Sequence, residues 1–265
     1  MGERAGGPGP ASVAVTLLFG AVLLATAPLC VLLGLLLLFV SWPFDPDRRA
    51  LHAFVCHWCV AYLRLNPFWS LRVEGRHRLP AGPAVLVANH QSMVDIVAAM
   101  ALFHPYKFVS KRSLFRVPLL GWMMTLIRHV PLDRGRPHST GRMLEACRSW
   151  LHRGSGVFFF PESTYGPRDR MLPFRPGAFL LAIEEQVPVV PVLIEGTREL
   201  VDGDGPWMAP RARVRVTVLE PLVPPHSGDA DALAGRVQDL YLARRGAGAG
   251  SAPGRTMSGS SGLAR

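Results

Sequence analysis

Residues 11–40 contain no charged side chain and form one long apolar run. A helix needs about 20 predominantly apolar residues to cross a bilayer, so this run is long enough to span one. Pro28 and Gly34 interrupt it, which leaves two alternatives: one long helix with a kink, or two shorter helices that fold back within one leaflet. The sequence predicts a hydrophobic membrane segment over 11–41, after a flexible N-terminus at 1–10.

A signal peptide is the competing interpretation, because residues 25–27 are small like those of a cleavage site. The apolar part of a signal peptide has about 7–15 residues, whereas this run continues well past position 27, which favours a retained membrane segment. Arg48 and Arg49 follow the run and Arg4 alone precedes it. The positive-inside rule therefore predicts that the following domain lies on the cytoplasmic side of the membrane.

The 265 residues combine a formal net charge of +10 and a pI of about 10.4 with a mean hydropathy of +0.22. A basic surface that faces a polyanion accounts for the charge, and nucleic acid, anionic lipid headgroups and phosphorylated substrates all fit. We expect no nucleic-acid partner, because zinc-finger spacing and RNA-binding motifs are missing and a membrane segment precedes the domain. Four cysteines are too few for a disulfide scaffold, which indicates a reducing compartment.

Residues 51–69 form a second, amphipathic stretch, and we assign 42–70 to a helix that lies at the membrane interface or against the domain. Cys56 and Cys59 form a C-x-x-C pair within it. Zinc would need two further ligands at a similar spacing, and no second pair exists in the sequence. We therefore predict two buried thiols and no metal site.

Apolar runs of strand length alternate with segments of helical period across 71–245, which we assign to one catalytic domain. This alternation predicts an α/β fold with a mixed, largely parallel sheet flanked by helices. Strands are expected at 71–73, 84–88, 107–110, 129–132, 156–160, 187–194 and 211–219, and helices at 92–103, 113–128, 139–153, 177–185 and 229–245. Prolines favour an edge or bulged position for strand 187–194. The Gly- and Ser-rich residues 246–265 are predicted to be a disordered tail.

His90 and Asp95 lie where the strand at 84–88 passes into a helix. Ser92 and Asp95 fit a capping box, so Asp95 in the first turn can reach back to the imidazole. Two alternatives follow: a His–carboxylate dyad with His90 as general base, or a carboxylate that only caps the helix. Because the sequence lacks a G-x-S-x-G nucleophile motif, a basic His90 would activate a hydroxyl of the substrate.

Basic residues dominate the segment 107–136, where they are interspersed with large apolar side chains. This composition favours an anionic headgroup with its acyl chain or a membrane surface, and a solvated basic face is the alternative. The basic residues are Lys107, Lys111, Arg112, Arg116, Arg128, Arg134 and Arg136.

Glu162 and Thr164 follow an apolar strand at 156–160. If the strands are parallel, these side chains reach the same edge of the sheet as His90. Glu162 could also form a simple ion pair at the end of the strand. Residues 172–178 then open a helix whose N-terminus, beside Arg175, is suited to binding an anion.

Together these blocks resemble the glycerolipid acyltransferases, a family that includes the 1-acylglycerol-3-phosphate acyltransferases, over residues 71–220. The family motif N-H-x-x-x-x-D fits residues 89–95, and K-x-x-L-x-x-x-P-x-x-G fits 111–121. A later D-R pair fits 133–134, F-P-E-G-T-R-S corresponds to the segment from 160, and V-P-x-x-P-V fits 187–192.

The resemblance implies a membrane-bound acyltransferase of phospholipid biosynthesis. It would transfer a fatty acyl group from acyl-CoA or acyl-carrier protein to a lyso-lipid, foremost 1-acyl-sn-glycerol-3-phosphate, which gives phosphatidate. His90 and Asp95 would be catalytic, and neither a cofactor nor a metal is implied. The residues implied or proposed to bind substrate are Lys111, Arg134, Glu162, Ser163, Thr164 and Arg175.

The chain departs from the family pattern at two positions: Ser163 replaces a glycine, and Tyr165 replaces the arginine implied to bind the acceptor phosphate. Arg168, Arg170 or Arg175 would substitute for that arginine. Otherwise the acceptor is another lyso-lipid, such as a lysophospholipid or lyso-ornithine lipid. A thioesterase or lipase is a more remote alternative.

Overall fold

The computed structural model describes residues 8–166, 171–201 and 206–249. Helices α1 (Pro10–Ser41) and α2 (Arg49–Arg64) precede an α/β domain. Its strands are β1 (Trp69–Glu74), β2 (Val85–Ala88), β3 (Tyr106–Lys111), β4 (Val130–Leu132), β5 (Gly156–Phe159), β6 (Val189–Glu195) and β7 (Ala212–Val218). Its helices are α3 (Val94–Ala99), α4 (Leu120–Leu126), α5 (Pro137–His152), α6 (Gly177–Glu184), α7 (Thr197–Leu200) and α8 (Ala230–Ala249).

The seven strands form one sheet in the order β1-β7-β6-β2-β5-β3-β4. Five of the neighbouring pairs are parallel and only β6 and β7 are antiparallel, so the predicted mixed, largely parallel sheet is confirmed. An edge or a bulge was predicted for the proline-containing strand, and the edge is wrong, because β6 lies between β7 and β2. Pro191 is tolerated where the β7 ladder ends, and its carbonyl accepts a hydrogen bond from the N–H of Leu219 at 2.9 Å.

Alternate side chains of the sheet point into two hydrophobic cores. Val85 and Val87 of β2 pack with α5, α6 and α8, whereas Leu86 and Ala88 pack with α2 and α3. Both faces are therefore covered, as a mainly parallel sheet requires. Asp229 caps α8, since its Oδ1 accepts the N–H of Asp231 at 2.8 Å.

The apolar N-terminal segment is one continuous helix, α1, with Pro28 inside it. Its length and composition are sufficient to cross a membrane. One side packs against the rest of the protein: Thr26 shares a 2.7 Å hydrogen bond with the hydroxyl of Tyr62, and Phe19 contacts the ring of Trp69. The other side exposes a row of large apolar residues, which includes Leu24, Leu32, Leu36 and Phe39.

Two predicted helices are shorter than expected. The helix at 92–103 begins only at Val94, and a 3-10 turn (Met100–Leu102) forms its last part. The helix at 113–128 divides into a 3-10 turn (Arg112–Arg116) and α4. Gly121 lies at this break, where a Cβ would come within 2.2 Å of the Phe115 carbonyl oxygen.

Lys107 does not belong to the basic surface predicted for 107–136, because it is buried. Its ammonium group donates to the carbonyls of Asp47 and Ile127 at 2.7 and 2.8 Å and lies over the ring of Trp150. Burial lowers the pKa of Lys107 to about 8, an effect opposed by the carboxylates of Asp47 and Asp45. Lys107 therefore joins the α1–α2 connection to the sheet.

The last helix is longer than predicted: the tail was expected to begin at residue 246, but α8 continues to Ala249. Residues 246–249 are thus helical, and the remainder of the predicted tail, 250–265, lies outside the described residues, as do residues 1–7 of the predicted flexible N-terminus.

Candidate active site

The carboxyl ends of five parallel strands meet at one edge of the sheet, which is where an α/β fold places its ligands. His90 follows β2, Lys111 ends β3, and Arg134 follows β4. The loop 160–166 follows β5, and Thr197 follows β6. The parallel arrangement on which the prediction for Glu162 and Thr164 depended is present.

The imidazole of His90 and the carboxylate of Asp95 form the dyad that the spacing suggested. Nδ1 of His90 lies 2.8 Å from Oδ2 of Asp95. Oδ2 also accepts the backbone N–H groups of Gln91 and Ser92, so Asp95 binds both the imidazole and the loop that precedes α3. Because an ionised carboxylate only accepts hydrogen bonds, Nδ1 carries the proton and Nε2 keeps its lone pair.

Two side chains fix the backbone of the His90 loop. The amide of Asn89 forms two hydrogen bonds with the backbone of Ile194 in β6, each 2.8 Å long. Glu162 accepts the N–H of His90 through Oε1 at 2.8 Å and that of Leu172 through Oε2 at 2.9 Å. Burial raises the pKa of Glu162, while the two N–H donors favour its ionised form. Glu162 therefore holds the His90 loop, and it does not line the cavity described below.

The loop after β5 wraps over His90. Ser163 has φ of 62°, a left-handed conformation that glycine adopts with less strain, and it occupies the position of the family glycine. The N–H of Gly166 donates to the carbonyl of His90 at 3.1 Å. The His90 ring stacks on Phe160 with ring centres 4.1 Å apart and meets the edge of Tyr165 at 4.6 Å. The imidazole is thus held between two aromatic rings.

His90 opens into a cavity of about 530 Å³. Its wall combines polar groups, His90 among them, with apolar side chains such as Val109, Leu132, Met143 and Phe159. Of the predicted substrate-binding residues, the cavity wall contains Lys111, Arg134, Ser163, Thr164 and Arg175. Arg168 and Arg170 lie outside the described residues.

The cavity is electropositive, because three cationic side chains line it and the described part of its wall contains no carboxylate. Burial lowers the pKa of Arg134, and the neighbouring Arg175 lowers it further, while Tyr165 opposes the shift. Burial and the charge of Asp95 raise the pKa of Tyr165, so its hydroxyl stays protonated and available as a donor. An anionic group entering the cavity would relieve the repulsion between the two guanidinium groups.

Sequence reasoning missed Thr197, whose hydroxyl donates to Oδ1 of Asp95. It lies 102 residues from Asp95 in the chain, and no local motif connects the two. The described ranges hold no cluster of three His, Cys, Asp or Glu side chains suited to a metal. Cys56 is a free, buried thiol 3.7 Å from the sulfur of Met100. Cys59 is free but only half-buried, so the prediction of two buried thiols is confirmed for Cys56 alone.

We compared the sequence and the fold with those of known proteins. Residues 70–195 match the sequence model of the Acyltransferase family. The fold is similar to the crystal structure of the 1-acyl-sn-glycerophosphate (LPA) acyltransferase PlsC from Thermotoga maritima, with a TM-score of 0.70 and 24% sequence identity over 91% of this chain and 97% of that one.

Curated relatives carry the same kind of name. The chloroplastic 1-acyl-sn-glycerol-3-phosphate acyltransferase LPAT1 of Arabidopsis thaliana is 37% identical over 193 residues, which are 72% of this chain and 53% of that protein. The 1-acyl-sn-glycerol-3-phosphate acyltransferase of Escherichia coli is 33% identical over 144 residues, 52% of this chain and 59% of that one. The chain thus spans about half the length of the curated relatives it matches. The match to the acyltransferase family therefore covers residues 70–195, and the predicted resemblance is confirmed for that part of the chain.

Proposed function

We propose that this protein is a membrane-associated O-acyltransferase that transfers a fatty acyl group from a thioester donor to the free hydroxyl of 1-acyl-sn-glycerol-3-phosphate. The observation that carries the proposal is the His90–Asp95 pair at the wall of a cavity that also holds Lys111, Arg134 and Arg175. A general base and an anion-binding group therefore share one site, and this acceptor needs both.

His90 supplies the base. Its Nδ1–H is held by Asp95, so Nε2 can take the proton of the acceptor hydroxyl. The oxygen then attacks the thioester carbonyl, the carbon–sulfur bond breaks, and the imidazolium returns its proton to the departing thiolate. Asp95 stabilises the imidazolium between these two steps, and a general base of this kind contributes about 10²–10⁴-fold to the rate.

The three cations would bind the acceptor phosphate. The arginine that the family motif places at 165 is replaced by tyrosine, but Arg134 and Arg175 lie at the same cavity. Burial is the main cause of the lowered pKa of Arg134, and the charge of Arg175 adds to it, so a bound anion would offset both effects. The apolar remainder of the wall suits acyl chains.

A second acceptor class is favoured by one observation, the position of Tyr165 against the His90 ring at 4.6 Å. A phenol donates one neutral hydrogen bond where a guanidinium would offer a charged fork. This substitution suits a lyso-lipid without a phosphate monoester, such as a lysophospholipid or lyso-ornithine lipid.

We further propose that the exposed apolar side of α1 enters the bilayer and that the catalytic domain faces the cytoplasm. The row of exposed leucines and Phe39 supports the first part, because water-exposed apolar surface of this extent is costly. Arg48 and Arg49, just after α1, support the second part.

The test is an acyl-transfer assay with full-length protein in phosphatidylcholine vesicles. Palmitoyl-CoA and palmitoyl-carrier protein are each offered with lysophosphatidate, lysophosphatidylcholine or lyso-ornithine lipid, and Y165R is assayed beside the wild type. We expect phosphatidate as the main product, with Y165R retaining that preference.

The wild type would instead favour an acceptor without a phosphate monoester if the second acceptor class is the right one, and Y165R would then shift the preference toward lysophosphatidate. That result would contradict 1-acyl-sn-glycerol-3-phosphate as the acceptor. Release of free palmitate with every acceptor would contradict acyl transfer and indicate a thioesterase.

A further inference from the structure

The carboxylate of Asp95 has two oxygens in different surroundings. Oδ2 receives His90 and two backbone N–H groups, whereas Oδ1 receives only the hydroxyl of Thr197 among the described residues. Both Asp95 and Thr197 have 0% exposure, so bulk water does not reach this hydrogen bond. The orientation of the carboxylate plane thus depends on Thr197.

The chain makes a sharp turn to deliver this hydroxyl. Gly196, between β6 and α7, has φ of 82°, and a Cβ there would lie 1.8 Å from the Arg213 carbonyl oxygen. Only glycine fits this contact, and the turn it permits directs Thr197, the first residue of α7, toward Asp95. The side chain of Thr197 is therefore directed by the same tight turn that starts α7.

We propose that Thr197 is a positioning residue for the transfer reaction: its hydroxyl locks the Asp95 carboxylate in the rotamer that presents Oδ2 to Nδ1 of His90. The proposal rests on the proposed function. Thr197 acts through Asp95, and it does not line the cavity.

Removing the hydroxyl has two effects that follow from its geometry. The carboxylate gains freedom to rotate, so the His90 ring spends less time with Nε2 toward the acceptor. The carboxylate also loses a donor that disperses its charge, so it holds a protonated imidazole more tightly. The first effect lowers kcat, and the second moves the acidic limb of the pH profile to higher pH.

A purely structural role makes a different prediction, and the fold offers a matched control. Ser92 Oγ donates to the carbonyl of Val201 at 3.0 Å, so it joins the same loop to the end of α7 without its hydroxyl touching Asp95. If Thr197 only ties α7 to the loop, S92A and T197V will have similar effects.

The experiment compares wild type, T197V, T197S and S92A in vesicles with palmitoyl-CoA and lysophosphatidate. We expect T197V to lower kcat about tenfold or more with little change in KM and to shift the acidic limb upward. T197S should restore both, and S92A should keep the wild-type pH profile.

A second readout does not need turnover. In ¹⁵N-histidine-labelled protein, the Nδ1–H proton of His90, assigned by its loss in H90Q, should give a far-downfield resonance that T197V weakens and T197S restores. If wild type shows the resonance but transfers no acyl group, the proposed function is wrong while the positioning role stands. If T197V keeps both the resonance and the pH profile, the positioning role is wrong.

Discussion

Glu162 Oε1 accepts the backbone N–H of His90 at 2.8 Å, so a carboxylate that follows β5 fixes the loop that follows β2. Its second oxygen accepts the N–H of Leu172, which ties the segment leading to Arg175 and α6 to the same anchor. One buried side chain thereby sets the distance between the proposed base and one of the proposed phosphate ligands.

Replacing Glu162 by glutamine is expected to disturb both positions. Glutamine keeps one acceptor oxygen, but its NH₂ group faces the backbone N–H of either His90 or Leu172. That backbone N–H then has no acceptor. We expect E162Q to lose at least tenfold in activity and about 2 kcal/mol in the free energy of unfolding. Urea unfolding and the acyl-transfer rate measure the two effects, and E145Q, at an exposed glutamate on α5, is the control. Unchanged activity in E162Q would contradict the anchoring role.

Replacing Ser163 by glycine is expected to keep or raise the stability of the protein. Its φ of 62° costs an L-residue about 1–2 kcal/mol, and glycine avoids most of this cost while adding entropy to the unfolded chain. We expect S163G to be about as stable as wild type or up to about 1 kcal/mol more stable. T164G, at a neighbour without positive φ, should be destabilised instead. Thermal unfolding of the two variants measures the difference, and a clearly less stable S163G would contradict the strain.

The cations of the cavity should act on the acceptor phosphate and not on the chemical step. We expect R134Q and R175Q each to raise KM for lysophosphatidate about tenfold, with a smaller change in kcat. R136Q removes an exposed charge close by that does not line the cavity, and it should behave like wild type. An equal loss with acceptors that lack a phosphate monoester would show that these arginines do not bind it.

The stability of the protein should fall as the solution becomes acidic. Burial lowers the pKa of His52 to about 3, helped by the charge of Lys107, and burial also lowers the pKa of His129. The folded state therefore keeps both imidazoles neutral, whereas the unfolded state protonates them below about pH 6.5. Stability is fully present above that pH and is lost below it, by up to about 1.4 kcal/mol per unit for each histidine.

Urea unfolding between about pH 7 and pH 5 tests this. We expect H52L to flatten the dependence. H57Q, at an exposed position of the same helix, should leave it unchanged. A wild-type stability that does not change over this range would contradict the account of these buried imidazoles.

Local pattern indicated the dyad as one of two alternatives, and it predicted the sheet. His90 and Asp95 are five residues apart on one strand-to-helix junction, so their contact follows from short-range geometry. The alternation of apolar strands and helices likewise predicted a largely parallel sheet, and this in turn predicted which loops meet.

Features that depend on distant partners could not be predicted in the same way. Lys107 was expected on a basic surface, but the carbonyls of Asp47 and Ile127 and the ring of Trp150 surround it. The sequence indicates the charge of a lysine, but the partners that compensate for its burial come from other parts of the chain. Thr197 was missed for the same reason.

The most direct test of the central claim is the initial rate of palmitoyl transfer from palmitoyl-CoA to lysophosphatidate by H90A, with H138A, at an exposed histidine outside the cavity wall, as control. The account predicts a wild-type rate for H138A and a loss of at least about 100-fold for H90A in protein that folds normally. A folded H90A protein that transfers palmitate at the wild-type rate would contradict it.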